Sequence, residues 1–255
     1  MQQILQYDGH RMSIIYNILM NREFFHLLNR GVDKRNIFLD EMDYFRFIHD
    51  LFEFNNVNNV VPNHGRVFKS PNPQLMDIGC PSVGTVGEIK SKPRKLLVNI
   101  HFFCMMPNHY HLLVSPLVEN GVSYFMKKLN MGYAKYFNEK YDRSGALFQG
   151  KYKSVHIERD AHFLWIPYYI HFNPLDLKFP LWKQQKEYDY KQALRYLESY
   201  RWSSHMDYLG KKNFPSVTQR DFFLESFGGE KKYQNSVSEY LSEINIPEMG
   251  NIILE

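Results

Sequence analysis

Cysteine is scarce in this chain. Cys80 and Cys104 are the only two among 255 residues, and they form no Cys-x-x-Cys pair. A disulfide framework or a cysteine zinc site needs more cysteines or a closer spacing. We therefore exclude both and expect a protein of a reducing compartment.

Long apolar runs and nucleotide-binding motifs are also missing. No stretch approaches the about 20 apolar residues of a membrane-spanning helix, and no basic-then-apolar signal stands at the beginning. Neither a Gly-x4-Gly-Lys loop nor a dinucleotide fingerprint occurs. The sequence thus disfavours a membrane protein or a nucleotide-driven enzyme, and we expect a cytoplasmic location.

The chain is rich in aromatic residues, and its charged residues are unevenly distributed. It is 44% hydrophobic and 16% aromatic, with a formal net charge of +4. Residues 124–153 hold seven Lys or Arg and two acids, a net of +5, and residues 221–255 hold seven acids and two Lys, a net of −5. A basic middle indicates contact with a polyanion, although a solvated helix face would look the same.

Periodicity and turn signals predict an α+β protein. Residues 55–95 are rich in Asn, Pro and Gly without a sustained period, which indicates a loop insertion. Asp40 is a suitable N-cap for the first helix. We predict strands at 23–32, 96–106, 106–114 and 148–157, and helices at 41–54, 122–137, 159–172, 188–197 and around 233–241.

The stretch from Met106 to Val114 is the first candidate for chemistry. Pro107 and Asn108 predict a turn, and the apolar residues after Tyr110 predict a buried strand. His109 and His111 are i and i+2 on that strand and therefore project from the same face, whereas Tyr110 projects from the other. Two such imidazoles can occupy two positions on one metal ion and leave others open.

A second stretch, around Tyr169, supplies complementary groups. On a helix Tyr169 and Asn173 are i and i+4 and share a face. An Asn amide oxygen is a ligand for a hard divalent cation, and a tyrosine one turn away would lie beside that ion. Such a site could cleave a phosphodiester by in-line attack of the Tyr169 oxygen, giving a phosphotyrosine and a free 3′ hydroxyl. Pro167 predicts a kink, or a helix start nearer Trp165.

Basic side chains near these stretches are candidates for DNA contacts. Lys151 and Lys153 alternate with aromatic residues in a predicted strand, the pattern of a single-strand binding groove. Three more follow the first strand, and three lie off the apolar face of the 122–137 helix. The candidates are Arg30, Lys34, Arg35, Lys127, Lys128, Lys135, Lys151 and Lys153.

Several motifs together resemble one family. The stretch Met106 to Val114 resembles the His-hydrophobic-His motif of single-tyrosine HUH transposases, and Tyr169 to Pro174 is similar to their catalytic-tyrosine helix. Further similar stretches are Asn29-Arg30-Gly31, residues 37–40, residues 144–154 and residues 200–204. The likeness runs from about residue 23 to 210 and resembles the branch of REP-associated tyrosine transposases.

The resemblance implies a ferredoxin-like α+β fold, with an antiparallel sheet that bears the histidines and helices packed on one face. It implies a divalent metal, Mg²⁺ or Mn²⁺, and single-stranded DNA, often folded as a hairpin. By position, His109, His111 and Asn173 would be metal ligands and Tyr169 the nucleophile. Tyr168 is the fallback nucleophile, although a packing role is expected for it.

Alternatives stay open at this point. A domesticated relative would bind hairpin DNA without cutting it, and an unrelated metallohydrolase using the His pair would keep its activity in Tyr169→Phe. The expected organisation is an N-terminal segment (1–22), a catalytic domain (23–175, with the 55–95 insertion) and a C-terminal extension with an acidic tail (176–255). The sequence does not choose between monomer and homodimer.

Overall fold

The computed structural model describes residues 22–58, 94–158, 160–184 and 189–242. Most of the predicted insertion, nearly all of the N-terminal segment and the last residues of the acidic tail lie outside these ranges, as does Cys80. No helix in the described ranges is long and apolar enough to cross a membrane. The proposed domain boundaries stay predictions.

A four-stranded antiparallel sheet is the centre of the fold, as expected. Its strands are β1 (Phe25–Arg30), β2 (Val98–Met106), β3 (His109–Pro116) and β4 (Lys153–His156), in the spatial order β2-β3-β1-β4. The turn at Pro107 and Asn108 joins β2 to β3 as a tight hairpin. The predicted 148–157 strand is shorter than expected, because only its last part pairs with β1 and Phe148 makes an isolated bridge to Gly31.

Helices cover both faces of the sheet and not only one face as expected, because both faces carry apolar side chains that are buried under helices. One face packs against α1 (Glu41–Glu53) and α2 (Gly121–Lys140), in a core that includes Tyr110, Leu112 and Phe103. The other face, called here the histidine face, presents His26, His109, His111 and their alternate neighbours to the C-terminal helices. The helices of that layer are α3 (Asp160–Phe172), α4 (Leu175–Lys178), α5 (Tyr190–Ser199), α6 (His205–Tyr208), α7 (Asp221–Phe227) and α8 (Glu230–Ser242). The α+β class is confirmed, and the C-terminal extension supplies most of the second helical layer.

Local signals account for α1. Asp40 accepts a hydrogen bond from the Asp43 backbone N–H, and the Asp43 side chain accepts one from the Asp40 backbone N–H, which forms a capping box. Such a box satisfies two backbone donors that the helix leaves unpaired. The predicted start of this helix is therefore confirmed.

Helix α3 is apolar on all sides and runs without interruption through Pro167. All ten residues from Phe163 to Phe172 are buried. The alternative helix start near Trp165 is wrong, because α3 already begins at Asp160. A helix that is hydrophobic all round is stabilised by packing, and this burial offsets the backbone hydrogen bond that proline removes.

Candidate nucleic-acid cleavage site

The histidine pair lies where the hairpin turn meets the sheet. His109 follows the turn directly, and His111 pairs with Leu28 on β1 and with Cys104 on β2. The two rings are 4.9 Å apart between centroids and nearly perpendicular, at 85°. Alternation along β3 places them on one face, as predicted, and Tyr110 in the opposite core.

Each imidazole has one hydrogen-bonded nitrogen and one nitrogen that bonds no residue in the described ranges. His109 Nδ1 lies 2.6 Å from Asn108 Oδ1, and His111 Nδ1 lies 3.0 Å from His26 Nε2. The Nε2 atoms of His109 and His111 are buried and have no hydrogen-bond partner in the described part of the chain. A buried polar atom without a partner is costly, so two of them side by side suit a bound ligand.

The hydrogen bonds of Asn108 define the tautomer of His109. The Asn108 amide nitrogen donates to the Lys34 carbonyl, so its Oδ1 is free to accept and His109 Nδ1–H donates to it. The lone pair of His109 is then on Nε2. A hydrogen bond from Nδ1–H to a neighbouring oxygen is what commonly orients a histidine metal ligand.

Both imidazoles are held in the neutral form. Burial chiefly lowers the pKa of His109 to about 4; nearby Arg30 adds to the lowering, and Asp176 and the Asn173 side chain oppose it. Burial also lowers the pKa of His111 well below its usual value, with His26 and His109 adding to the effect. A metal ligand must be deprotonated, so this electrostatic environment favours ligation.

Tyr169 of the same chain reaches the histidines. Its ring is 5.5 Å from the His111 ring and 5.7 Å from the His26 ring, edge-on to both. The Asn173 amide nitrogen donates to the Tyr169 carbonyl at 2.8 Å across one helical turn. Both side chains are buried, and Asn173 is close enough to His109 to influence its pKa. The structure thus brings together His109, His111, Tyr169 and Asn173.

The adjacent Tyr168 is buried elsewhere. Its hydroxyl donates to Ser236 Oγ at 2.8 Å, and its ring lies 4.2 Å from that of Tyr240 in α8. The expected packing role fits these contacts. His171, which lies between Tyr169 and Asn173 in the sequence, is hydrogen-bonded to Tyr233 and Ser204.

His26 is a further residue of the candidate site, and no pattern in the sequence indicated it. It stacks on His111, with 5.2 Å between ring centroids and 15° between planes, in addition to their hydrogen bond. Alternation along β1 places it on one face with Leu28 and Arg30. That this face meets the β3 histidines depends on the pairing of β1 with β3, and no local signal reports that pairing.

The eight basic candidates divide between the two sides of the sheet. Arg30 on β1 pairs with His109 on the neighbouring strand β3, so both side chains are on the histidine face. Lys153 is in register with Leu28 and therefore also shares this face. It is two strand spacings, roughly 10 Å, from His111. Lys34 and Arg35 are in the loop that contacts Asn108, and Lys151 precedes β4. Lys127, Lys128 and Lys135 are on α2, behind the sheet, where Lys128 donates to the carbonyls of Asn56 and Asn58.

Residues 88–173 match the family described as "Transposase IS200 like". A segment of this chain, about a third of its length, therefore resembles IS200-like transposases. The segment ends at Asn173 and includes His109, His111 and Tyr169, so the family resemblance drawn from the sequence is confirmed.

Two further comparisons concern solved structures and curated proteins. A solved structure of a REP-associated tyrosine transposase bound to a REP hairpin aligns with 78% of this chain and 86% of that chain, at 12% sequence identity and a TM-score of 0.43. So low a TM-score supports no argument about this chain. No curated protein matches.

Proposed function

We propose that this protein is a metal-dependent single-stranded DNA endonuclease and strand transferase with Tyr169 as its nucleophile. The observation that supports this most is the position of the Tyr169 ring beside two neutral, buried histidines whose Nε2 atoms have no hydrogen-bond partner among the described residues. The segment that resembles IS200-like transposases is consistent with it, because it contains all four candidate residues.

The residues present suit a divalent ion. No group of three or more His, Cys, Asp or Glu side chains arranged for a metal occurs in the described ranges. The proposed set differs in kind, because it consists of two imidazoles and the amide oxygen of Asn173, with positions left for water and DNA. An ion held by His109, His111 and Asn173 would supply Lewis-acid stabilisation to a non-bridging phosphate oxygen.

The chain's own groups supply the rest of the reaction. The Tyr169 oxygen forms a bond to phosphorus while the bond from phosphorus to the 3′ oxygen breaks. The phenol loses one proton and the departing 3′ oxygen gains one, so the step is balanced without another reactant. The 5′ phosphate remains covalently attached to Tyr169, and a 3′ hydroxyl of a second strand can reverse the step, which transfers the strand.

Basic side chains at the same end of the sheet suit the phosphates on either side of the cleaved bond. Arg30 and Lys153 share the histidine face, and Lys34 and Arg35 adjoin the hairpin turn. Contacts between cations and phosphates bind DNA without reading sequence. We place the DNA on this side of the sheet rather than along the lysines of α2.

Covalent capture tests the proposal directly. Labelled single-stranded DNA from the flanks of the gene, with and without a terminal hairpin, is incubated with the full chain and Mn²⁺ or Mg²⁺, then with EDTA as a control. We expect a labelled band on a denaturing protein gel that requires the metal, with the modification located at Tyr169 by mass spectrometry. Tight binding without any adduct on either substrate would instead identify a non-cleaving DNA-binding relative.

His26 provides a prediction that does not depend on cleavage. Its hydrogen bond to His111 Nδ1 orients that ring, and loss of such a supporting contact typically weakens metal binding about 10- to 100-fold. We expect His26→Ala to reduce Mn²⁺ affinity by this factor, measured by isothermal titration calorimetry or by electron paramagnetic resonance of free Mn²⁺.

The matched control for that measurement is His156→Ala. His156 is an exposed histidine on β4 whose ring contacts Glu158 and Phe25 but neither His109 nor His111. Its removal should leave Mn²⁺ affinity unchanged. Equal affinities of wild type and His26→Ala would show that His26 does not support the metal site.

A further inference from the structure

A cavity of about 450 Å³ opens on the histidine face at the far end of the sheet. It lies between Asn99 and His101 of β2, Arg22 before β1, and residues 215–222 before and within α7. Ile100 pairs with Val114 at this end of the sheet, and Met106 pairs with His109 at the other end. The cavity is therefore about six residues along the strands from His109, a distance of roughly 20 Å. The cavity is therefore separate from the proposed cleavage site but on the same side of the sheet.

The donors at this cavity are largely unused. Arg22 is exposed and makes no ion pair or hydrogen bond with any described residue, and its guanidinium lies 4.9 Å over the Phe222 ring. Arg220 uses one nitrogen, Nη1, to bond the Pro215 carbonyl and Thr218 Oγ1. Neither arginine forms an ion pair with Asp221, which lines the same cavity.

Hydrogen bonds to β2 hold the floor of the cavity in place. Gln219 bonds Ile100 twice, because its backbone N–H donates to the Ile100 carbonyl and its Oε1 accepts from the Ile100 N–H, each at 2.8 Å. His101 is bonded through its two ring nitrogens to Ser115 and to the Gln219 carbonyl. These bonds hold residues 218–220 against the bulge between Ile100 and Phe102.

This combination suits a nucleotide better than a bare anion. A guanidinium and an aromatic ring in contact form a platform for a base, and a second arginine can bind its phosphate. Asp221 provides an acceptor for base N–H groups. The volume lies within the range of small-ligand pockets.

We propose that this cavity binds one unpaired nucleotide of the DNA strand held at the histidine pair, with the base stacked on the outer face of the Arg22 guanidinium, which the Phe222 ring supports from the other side, and the phosphate at Arg220. The inference rests on the proposed function, since it takes single-stranded DNA as the ligand. It adds a second contact on the strand, several nucleotides from the cleaved bond.

Arg22→Ala is the cleanest variant, because the Arg22 side chain is exposed and makes no hydrogen bond to any residue that the structure describes. Arg195→Ala is its matched control: Arg195 is an exposed arginine of α5 that does not line the cavity, and its removal changes the net charge equally. The probe is 5′-fluorescein-labelled dT20, which forms no hairpin. Binding to the full chain is followed by fluorescence anisotropy, and circular dichroism verifies the fold of each variant.

Loss of one stacked base costs about tenfold in affinity, so we expect Arg22→Ala to bind dT20 about tenfold more weakly and Arg195→Ala to bind as wild type does. A strand containing 5-iodouracil should photo-crosslink to the peptide that contains Phe222. Equal weakening by both variants, no weakening by either, or crosslinks only elsewhere would overturn the proposal. Displacement of dT20 by micromolar dTMP would assign the cavity to a free nucleotide instead and overturn it too.

The test is independent of the cleavage chemistry. If a metal-dependent adduct forms at Tyr169 but the affinity for dT20 is unchanged in Arg22→Ala, only the proposal of nucleotide binding in the cavity is rejected. Arg22-dependent binding without any adduct would reject strand transfer alone.

Discussion

Tyr169→Phe should lower covalent adduct formation by at least about 10⁴-fold, because the substitution removes the oxygen that bonds to phosphorus. The phenylalanine ring keeps the edge-on contacts with His26 and His111, so the packing of α3 is preserved. Binding of DNA and of Mn²⁺ should change little. The measurement is a time course of adduct and of cleaved strand under single-turnover conditions.

Tyr168→Phe is the matched control for this prediction. It removes a phenol from the neighbouring position in the same helix, where the hydroxyl bonds Ser236 instead of facing the histidines. Losing that bond costs about 1 kcal/mol of stability and should leave the adduct rate near that of wild type. Cleavage that requires metal and survives Tyr169→Phe would move the nucleophile to Tyr168 or to water.

Mild acid should destabilise the protein strongly, by about 4 kcal/mol at pH 5 from His101 and His205 together. Burial chiefly lowers the pKa of His101 to about 4 and that of His205 to about 3, whereas both take ordinary values near 6.5 in the unfolded chain. Below pH 6.5 the unfolded state therefore binds protons that the folded state does not. The contribution of these two histidines to the free energy of unfolding is fully present above pH 6.5 and decreases as the pH drops towards 4.

Urea unfolding in EDTA at several values between pH 7.5 and pH 4.5 measures this effect without interference from bound metal. Replacing His101 by Asn should make the slope of the unfolding free energy against pH shallower by about one proton between pH 6.5 and pH 4, whatever it does to absolute stability. A urea midpoint that stays constant down to pH 5 would contradict the prediction.

The C-terminal extension makes hydrogen bonds to the helix that bears Tyr169, and sequence patterns do not predict these contacts. Tyr233 of α8 bonds His171 at 2.6 Å and His205 at 2.8 Å through one hydroxyl, and all three side chains are fully buried. Helix α3, which bears Tyr169, is thereby attached to α6 and α8. Periodicity indicated a helix near 233–241 but nothing about the partner of its tyrosine, since hydrogen bonds between distant segments leave no local period.

Local chemistry determined much of this protein by itself. The turn at Pro107 and Asn108, the alternation along β3, the Asp40 cap and the i to i+4 spacing of Tyr169 and Asn173 each depend on a few consecutive residues, and each is present in the structure. Such signals are readable because backbone geometry converts short spacings into shared faces. Most residues of the candidate site were therefore predictable from the sequence. Their chemistry is a proposal.

Only the tertiary structure decided how these pieces meet. The pairing of β1 with β3 brings His26 to His111, the wholly apolar α3 passes through Pro167 and delivers Tyr169 to the same point, and α2 places its lysines behind the sheet. Each of these depends on contacts between residues far apart in the chain. The physical reason is that burial free energy is summed over the whole core, so it overrides a local penalty such as a helical proline and selects which faces come together.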